Sequence, residues 1–83
     1  MTPQEHNDIV RRFFDALESL RASGSIRGLK TFTDRYGIDR SSMIRAKNCP
    51  ESCGFKAVWL TYLVRDYGIN AAWLLTGEGQ MHD

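Results

Sequence analysis

Leu29-Lys30-Thr31-Phe32-Thr33-Asp34-Arg35-Tyr36-Gly37-Ile38-Asp39-Arg40-Ser41-Ser42-Met43-Ile44-Arg45-Ala46-Lys47-Asn48 reads as two short helices joined by a tight turn. Leu29, Phe32 and Tyr36 recur at helical spacing and form the inward side of the first. Gly37 stops that helix, because it accepts a left-handed conformation without the penalty a Cβ brings. Asp39 suits the cap of a following helix, Arg40 to about Lys47. Ile38 before that cap and Met43 four residues after it form a hydrophobic staple that fixes the entry angle of the chain.

Reading outward, the upstream helix of this pair starts between Ile26 and Leu29. Before it, Thr2-Pro3-Gln4-Glu5 is a helix start with a cap, a first-turn proline and a capping-box glutamate. Ile9, Val10, Phe13, Phe14, Leu17 and Leu20 then give one wide apolar stripe, ending near Arg21 or Ala22. Downstream, Asn48 to Gly54 reads as a loop holding Pro50, Cys49 and Cys53. A fourth helix follows from about Phe55 to Tyr67, with Phe55, Val58, Trp59, Tyr62 and Leu63 on one face and Gly68 as its stop. Asn70 caps a short fifth helix through Trp73, Leu74 and Leu75, closed by Gly77, and residues 78–83 are expected to be loose. The aromatics Phe13, Phe14, Trp59, Tyr62 and Trp73 belong to the core. Five helices with short connections over residues 1–83 predict one compact all-α domain.

The chain has 83 residues, 42% of them apolar and 25% charged, which is ordinary globular usage. No apolar run is long enough for a membrane span, and the polar N-terminus is no signal peptide, so a cytoplasmic protein is expected. Cys49 and Cys53 are then expected to be reduced. With only His6 and His82 as further soft ligands, in the two terminal segments, a four-ligand zinc site is not expected. A redox switch beside the third helix is the minority reading of the pair. No catalytic constellation, phosphate loop or small-molecule site is visible, so neither an enzyme nor a cofactor is expected.

The net charge is +1, but it is unevenly placed. Ser25 to Asn48 carries six basic and two acidic residues, net +4, while the rest of the chain sums to −3. An electropositive segment on a slightly acidic body suits an anionic partner. The alternative is a solvated helix face.

The same turn occurs twice, as Tyr36-Gly37-Ile38-Asp39 and as Tyr67-Gly68-Ile69-Asn70. Their flanks differ, so this is convergent capping rather than an internal repeat. Either can be the turn of a helix-turn-helix, and the next helix decides. A recognition helix needs one face for the core and an opposite face of hydrogen-bonding side chains for the major groove. Ala71-Ala72-Trp73-Leu74-Leu75 offers no such donors and belongs in the core or at a dimer contact. After Gly37, at ~100° per residue, Met43 and Ala46 point inward while Ser41, Arg45 and Asn48 point opposite, with Arg40 and Ile44 on the flanks.

Two stretches resemble a known family. Leu29 to Asn48, with Phe32, Tyr36, Gly37, Ile38, Met43 and Ala46 in place, is similar to the helix-turn-helix of phage-repressor-type domains of the lambda-repressor-like class. Gly68-Ile69-Asn70-Ala71-Ala72-Trp73-Leu74-Leu75-Thr76-Gly77-Glu78-Gly79 looks like the closing helix of such domains. Two positions depart from the pattern: Thr33 replaces the usual small alanine or glycine, and Ala46 a larger aliphatic. Both predict a looser or differently angled docking of the two helices. The resemblance implies a five-helix domain that binds double-stranded DNA as a homodimer on a near-palindromic operator. That is a transcriptional regulator of a bacterium, phage or mobile element.

In that reading Arg45 contacts a base, since a guanidinium pairs bidentately with guanine. Arg40, Ser41 and Ile44 are the further base candidates. Ile44 either meets a thymine methyl or tucks against the fourth helix. Arg27, Lys30, Lys47 and Asn48 are the phosphate candidates, which give affinity and register but no sequence choice. Arg35 is expected to pair with Asp34 or Asp39, or to stay solvated. The dimer contact is expected around the fifth helix and its tail, Trp73 to Met81. Two other functions fit the same residues: a helical protein-interaction module without DNA binding, and a DNA-binding accessory factor for recombination.

Overall fold

The computed structural model describes residues 3–49 and 54–82. Thr2 as a cap, Pro50 and Cys53 therefore lie outside the described residues. The chain is all-helical: α1 Pro3–Ala22, α2 Leu29–Tyr36, α3 Arg40–Asn48, α4 Val58–Tyr67 and α5 Ala71–Thr76.

α1 is the long element around which the others gather. Its buried stripe is Ile9, Val10, Phe13, Ala16, Leu17 and Leu20, while Phe14 is only half-buried. Phe13 is fully buried and meets Phe14, Phe32 and Phe55 edge-on, with ring centroids 5.0, 5.8 and 5.3 Å away. Edge-to-face pairs of this kind add to the area term that dominates core stability. Ile26, Phe32, Met43, Ala46, Trp59, Leu63, Ile69 and Leu74 complete the same cluster.

α4 starts at Val58 and not near Phe55, as the apolar pattern suggested. Ala57 supplies no side-chain cap, and the ring of Phe55 is spent across Phe13 and Trp59 instead of continuing a helix face. Val58 was expected inward and is 46% exposed. Trp59 and Leu63, four apart, define the buried side, and a residue ~100° before Trp59 is turned out. Leu75 is likewise turned out, beside fully buried Leu74.

The tail, expected to be loose, folds back through His82. Asn70 N–H donates to Met81 O at 2.8 Å, His82 pairs with Ile69 in an isolated antiparallel bridge, and Met81 packs on the core. His82 Nε2 lies 3.2 Å from Ser19 Oγ of α1. The backbone around buried Ile69 thus finds a partner in the tail, which is what a buried peptide group requires. α5 is further tied to α1 by Arg12, whose Nε and Nη2 donate to Leu74 O and Leu75 O at 2.8 and 3.1 Å. These are carbonyls that a helix C-terminus leaves without intrahelical partners.

No helix among the described residues is long and apolar enough to cross a membrane.

Candidate nucleic-acid interface

α3 is nine residues long and opens on Asp39, whose carboxylate accepts from Ser41 N–H at 3.2 Å and from Ser42 Oγ at 3.0 Å. Met43 N–H closes the first turn on Asp39 O, and Cys49 N–H closes the last on Arg45 O. Met43 and Ala46 are fully buried. Arg40, Ser41, Ile44, Arg45, Lys47 and Asn48 are all exposed. The helix is therefore split between an apolar seat and a polar outer surface, and all four base candidates lie on the outer one.

Ile44 is 41% exposed. That places an apolar side chain beside Arg45 on an outward face.

The phosphate candidates separate into three settings. Arg27 is exposed in the approach to α2. Lys30, in the first turn of α2, has its ammonium 3.9 Å from Asp34, an exposed pair one helical turn apart worth little in water. At the N-terminus of α2 Gly28 makes no side-chain cap bond, and Gly28 and Leu29 border the same surface as Asp15, Glu18, Arg21 and Lys47. Lys47 and Asn48 end α3. Lys47 turns toward α1 and shares the rim of a surface cavity of about 490 Å³ with Asp15, Glu18 and Arg21. Glu18 is bonded to Arg21, which holds its carboxyl below the usual range, with Lys47 adding a smaller pull in the same direction.

Thr33, the departure in α2, is buried, and its Oγ1 donates to Lys30 O at 3.1 Å. The hydroxyl is satisfied within its own helix, so a larger residue is accommodated without an orphaned polar group.

Arg35 pairs with neither Asp34 nor Asp39. Its Nη1 donates to Tyr67 Oη at 3.2 Å, and Nη2 lies 4.0 Å from Asp66. The guanidinium also lies over the rings of Tyr36 and Tyr67, at 5.3 and 5.4 Å from their centroids. Consecutive residues point ~100° apart on a helix, which directs Arg35 away from Asp34, and aromatic faces with a largely buried carboxylate outcompete a solvated one.

Cys49 is a free, exposed thiol at the end of α3. Its pairing with Cys53, and any redox role of the two, lies outside the described residues. Among the described residues no three His, Cys, Asp or Glu side chains gather as a metal site.

Sequence reasoning missed two sets of residues. One is Arg12, whose lone position on α1 carries no periodic signal for a bond to a helix 62 residues away. The other is the set Tyr36, Asp66 and Tyr67, at or just before the repeated turns, where local pattern carries the capping but not the contact between the two helices. Compared with family models, with curated proteins and with solved structures, the chain matches none of them.

Proposed function

We propose that the chain is a sequence-specific DNA-binding protein that lays α3 in the major groove. The observation that carries this reading is the division of α3. Its two inward residues are completely buried, while Arg40, Ser41, Ile44, Arg45, Lys47 and Asn48 stand outward on one short helix. Two arginines, a lysine and one exposed isoleucine would also suit a solvated helix face. A groove floor uses all of them: arginine for guanine, serine for a base edge or phosphate, isoleucine for a thymine methyl. Arg27 and Lys30 are suited to the phosphate backbone, with Lys47 and Asn48 at the end of α3. Because Lys47 sits beside Glu18, its phosphate contact is the weakest of the four.

A homodimer fits this reading, since two copies would place two α3 helices in successive major grooves about 10 base pairs apart. The contact expected around the fifth helix and its tail, Trp73 to Met81, keeps residues 75–80 exposed, and beside it lies a groove of about 360 Å³ lined by Ala57, Leu60, Thr61, Val64, Ala71 and Leu75. That groove is also the observation favouring the second reading, a helical protein-interaction module. A transcriptional regulator of phage or mobile-element type is the role proposed for the DNA-binding form, with recombination accessory as its neighbour.

Selection of bound duplexes from a random pool, followed by titration at several salt concentrations, tests the proposal. If a dimer neutralises about six phosphates, log K against log salt falls with a slope near −5. A flat response, with no duplex enriched, leaves the interaction module.

A further inference from the structure

The two Tyr-Gly-Ile turns are tied to each other crosswise. Tyr36 is the last residue of α2, and Asp66 and Tyr67 are the last two of α4. Tyr36 Oη donates to Asp66 Oδ2 at 2.5 Å, while Arg35 of the first turn donates to Tyr67 Oη of the second at 3.2 Å. The Tyr36 ring lies flat on Tyr62, centroids 4.0 Å apart and planes within 2°. Arg65 holds Asp66 from the other side through Nε and Nη2, at 3.0 and 2.9 Å. Asp66 is thus the hub of a network whose members come from α2 and α4 alone.

α3 begins four residues after Tyr36. Its seat, Met43 and Ala46, is apolar contact, which fixes depth but has little directional preference. Hydrogen bonds are directional and weaken steeply with angle. The bonds nearer the start of α3 are local, Asp39 to Ser41 and Ser42 within the cap and Ile38 N–H to Thr33 O back into α2; the network at the end of α2 is what ties that local unit directionally to α4, through a turn only two residues long beyond Gly37.

We infer that Tyr36 and Asp66 are positioning residues: by locking the end of α2 to the end of α4 they set the pitch of α3 on the domain, and with it which base edges α3 reaches. The first half stands on the structure alone, and the second rests on the proposed DNA reading. Neither residue touches DNA in this account.

Two measurements test it. Spin labels on Ser41→Cys and Thr61→Cys, in a Cys49→Ser, Cys53→Ser background, report the distance between α3 and α4. Tyr36→Phe keeps the ring stack and removes one oxygen, and Asp66→Asn removes the charge. Each is expected to shift or broaden the distance distribution while far-UV circular dichroism stays that of the parent. On duplexes selected by the parent, each lowers affinity about tenfold, the scale of one charged hydrogen bond, and leaves random duplexes and the salt slope unchanged. The double variant loses less than the sum of the two single ones, since both act on the Tyr36–Asp66 contact. A parent-like distance distribution overturns the inference, and so does an equal loss on selected and random duplexes. If Asp66→Asn does not fold, Tyr36→Phe carries both measurements. If the parent binds no duplex, the DNA reading falls and the distance measurement alone decides the positioning role.

Discussion

At Gly37 the backbone turns with φ 64° and ψ 32°, and at Gly68 with φ 69° and ψ 23°. Two residues on, Asp39 and Asn70 cap the next helix at φ −64°, ψ 118° and φ −68°, ψ 119°. The isoleucine between donates its N–H back into the preceding helix in both cases, to Thr33 O at 2.9 Å and to Leu63 O at 3.2 Å. The dihedrals of the two turns nearly coincide, although the first bonds to the carbonyl five residues before its isoleucine and the second to the one six before, yet the helices they launch differ far more. α3 buries two residues and exposes six polar or apolar side chains around them, whereas α5 is apolar and is held to α1 by Arg12. The turn determines a path for the chain. The composition of the next helix determines which side chains that path leaves outward, charged ones along α3 and small or apolar ones along α5.

The isoleucines offer the hardest test of this contrast. Ile69 is fully buried and Ile38 is half-buried. Ile69→Ala is expected to cost about 2–5 kcal/mol, the range for a core truncation, and Ile38→Ala about half as much. Urea unfolding of the two variants measures both. Equal losses would mean that the first turn is packed as tightly as the second, and that α3 is less open than it looks.

The glycines should behave alike. A Cβ on Gly37 or Gly68 meets nothing within 4 Å, so Gly37→Ala and Gly68→Ala pay for left-handed backbone alone, about 1–2 kcal/mol each. Gly77, which closes α5, differs: its Cβ would stand 3.3 Å from Arg12 Nη1. Gly77→Ala is expected to cost more than either by thermal unfolding, because it adds a disturbed Arg12 to the same strain.

The crosswise network gives the smallest effect and a pH signature. Arg65 and the Tyr36 hydroxyl hold the Asp66 carboxyl well below the usual carboxylate range, while burial and Asp66 raise the phenol of Tyr36. A carboxyl depressed in the folded state stabilises fully above its unfolded value, about pH 4, and loses that contribution as pH falls through the folded value. Asp66→Asn should therefore be less stable than the parent at neutral pH, with the difference closing in acid. A gap that persists unchanged in acid would show that the Asp66 charge contributes nothing.

Much of this architecture was legible in the residues. Periodicity gave five helices, and Gly37, Gly68, Asp39 and Asn70 gave both turns and caps, because these depend on neighbours in the chain. The division of α3 into Met43 and Ala46 against Ser41, Arg45 and Asn48 followed from helical spacing alone. What was not legible depends on distant chain. Val58 turns outward because Trp59 and Leu63 claim the inner side, and the tail is tied down because Ile69 and Asn70 need backbone partners. Arg35 prefers Tyr67 and Asp66 over the acids beside it in sequence, since these sit across a helix pair whose approach no local pattern states.

The central claim is that the helix after the first turn, and not the helix after the second, meets the bases. Binding of Arg45→Ala, Arg27→Ala and Lys30→Ala to a panel of single-base variants of a selected duplex, at two salt concentrations, tests it most directly. Arg45→Ala is expected to weaken the best duplex by about 1–3 kcal/mol and to relax preference at one base position. Arg27→Ala and Lys30→Ala are expected to weaken all duplexes by similar factors and to make the salt slope shallower by about one unit each. Uniform weakening by Arg45→Ala, with base preference altered by Arg27→Ala instead, would contradict the placement of α3 in the groove.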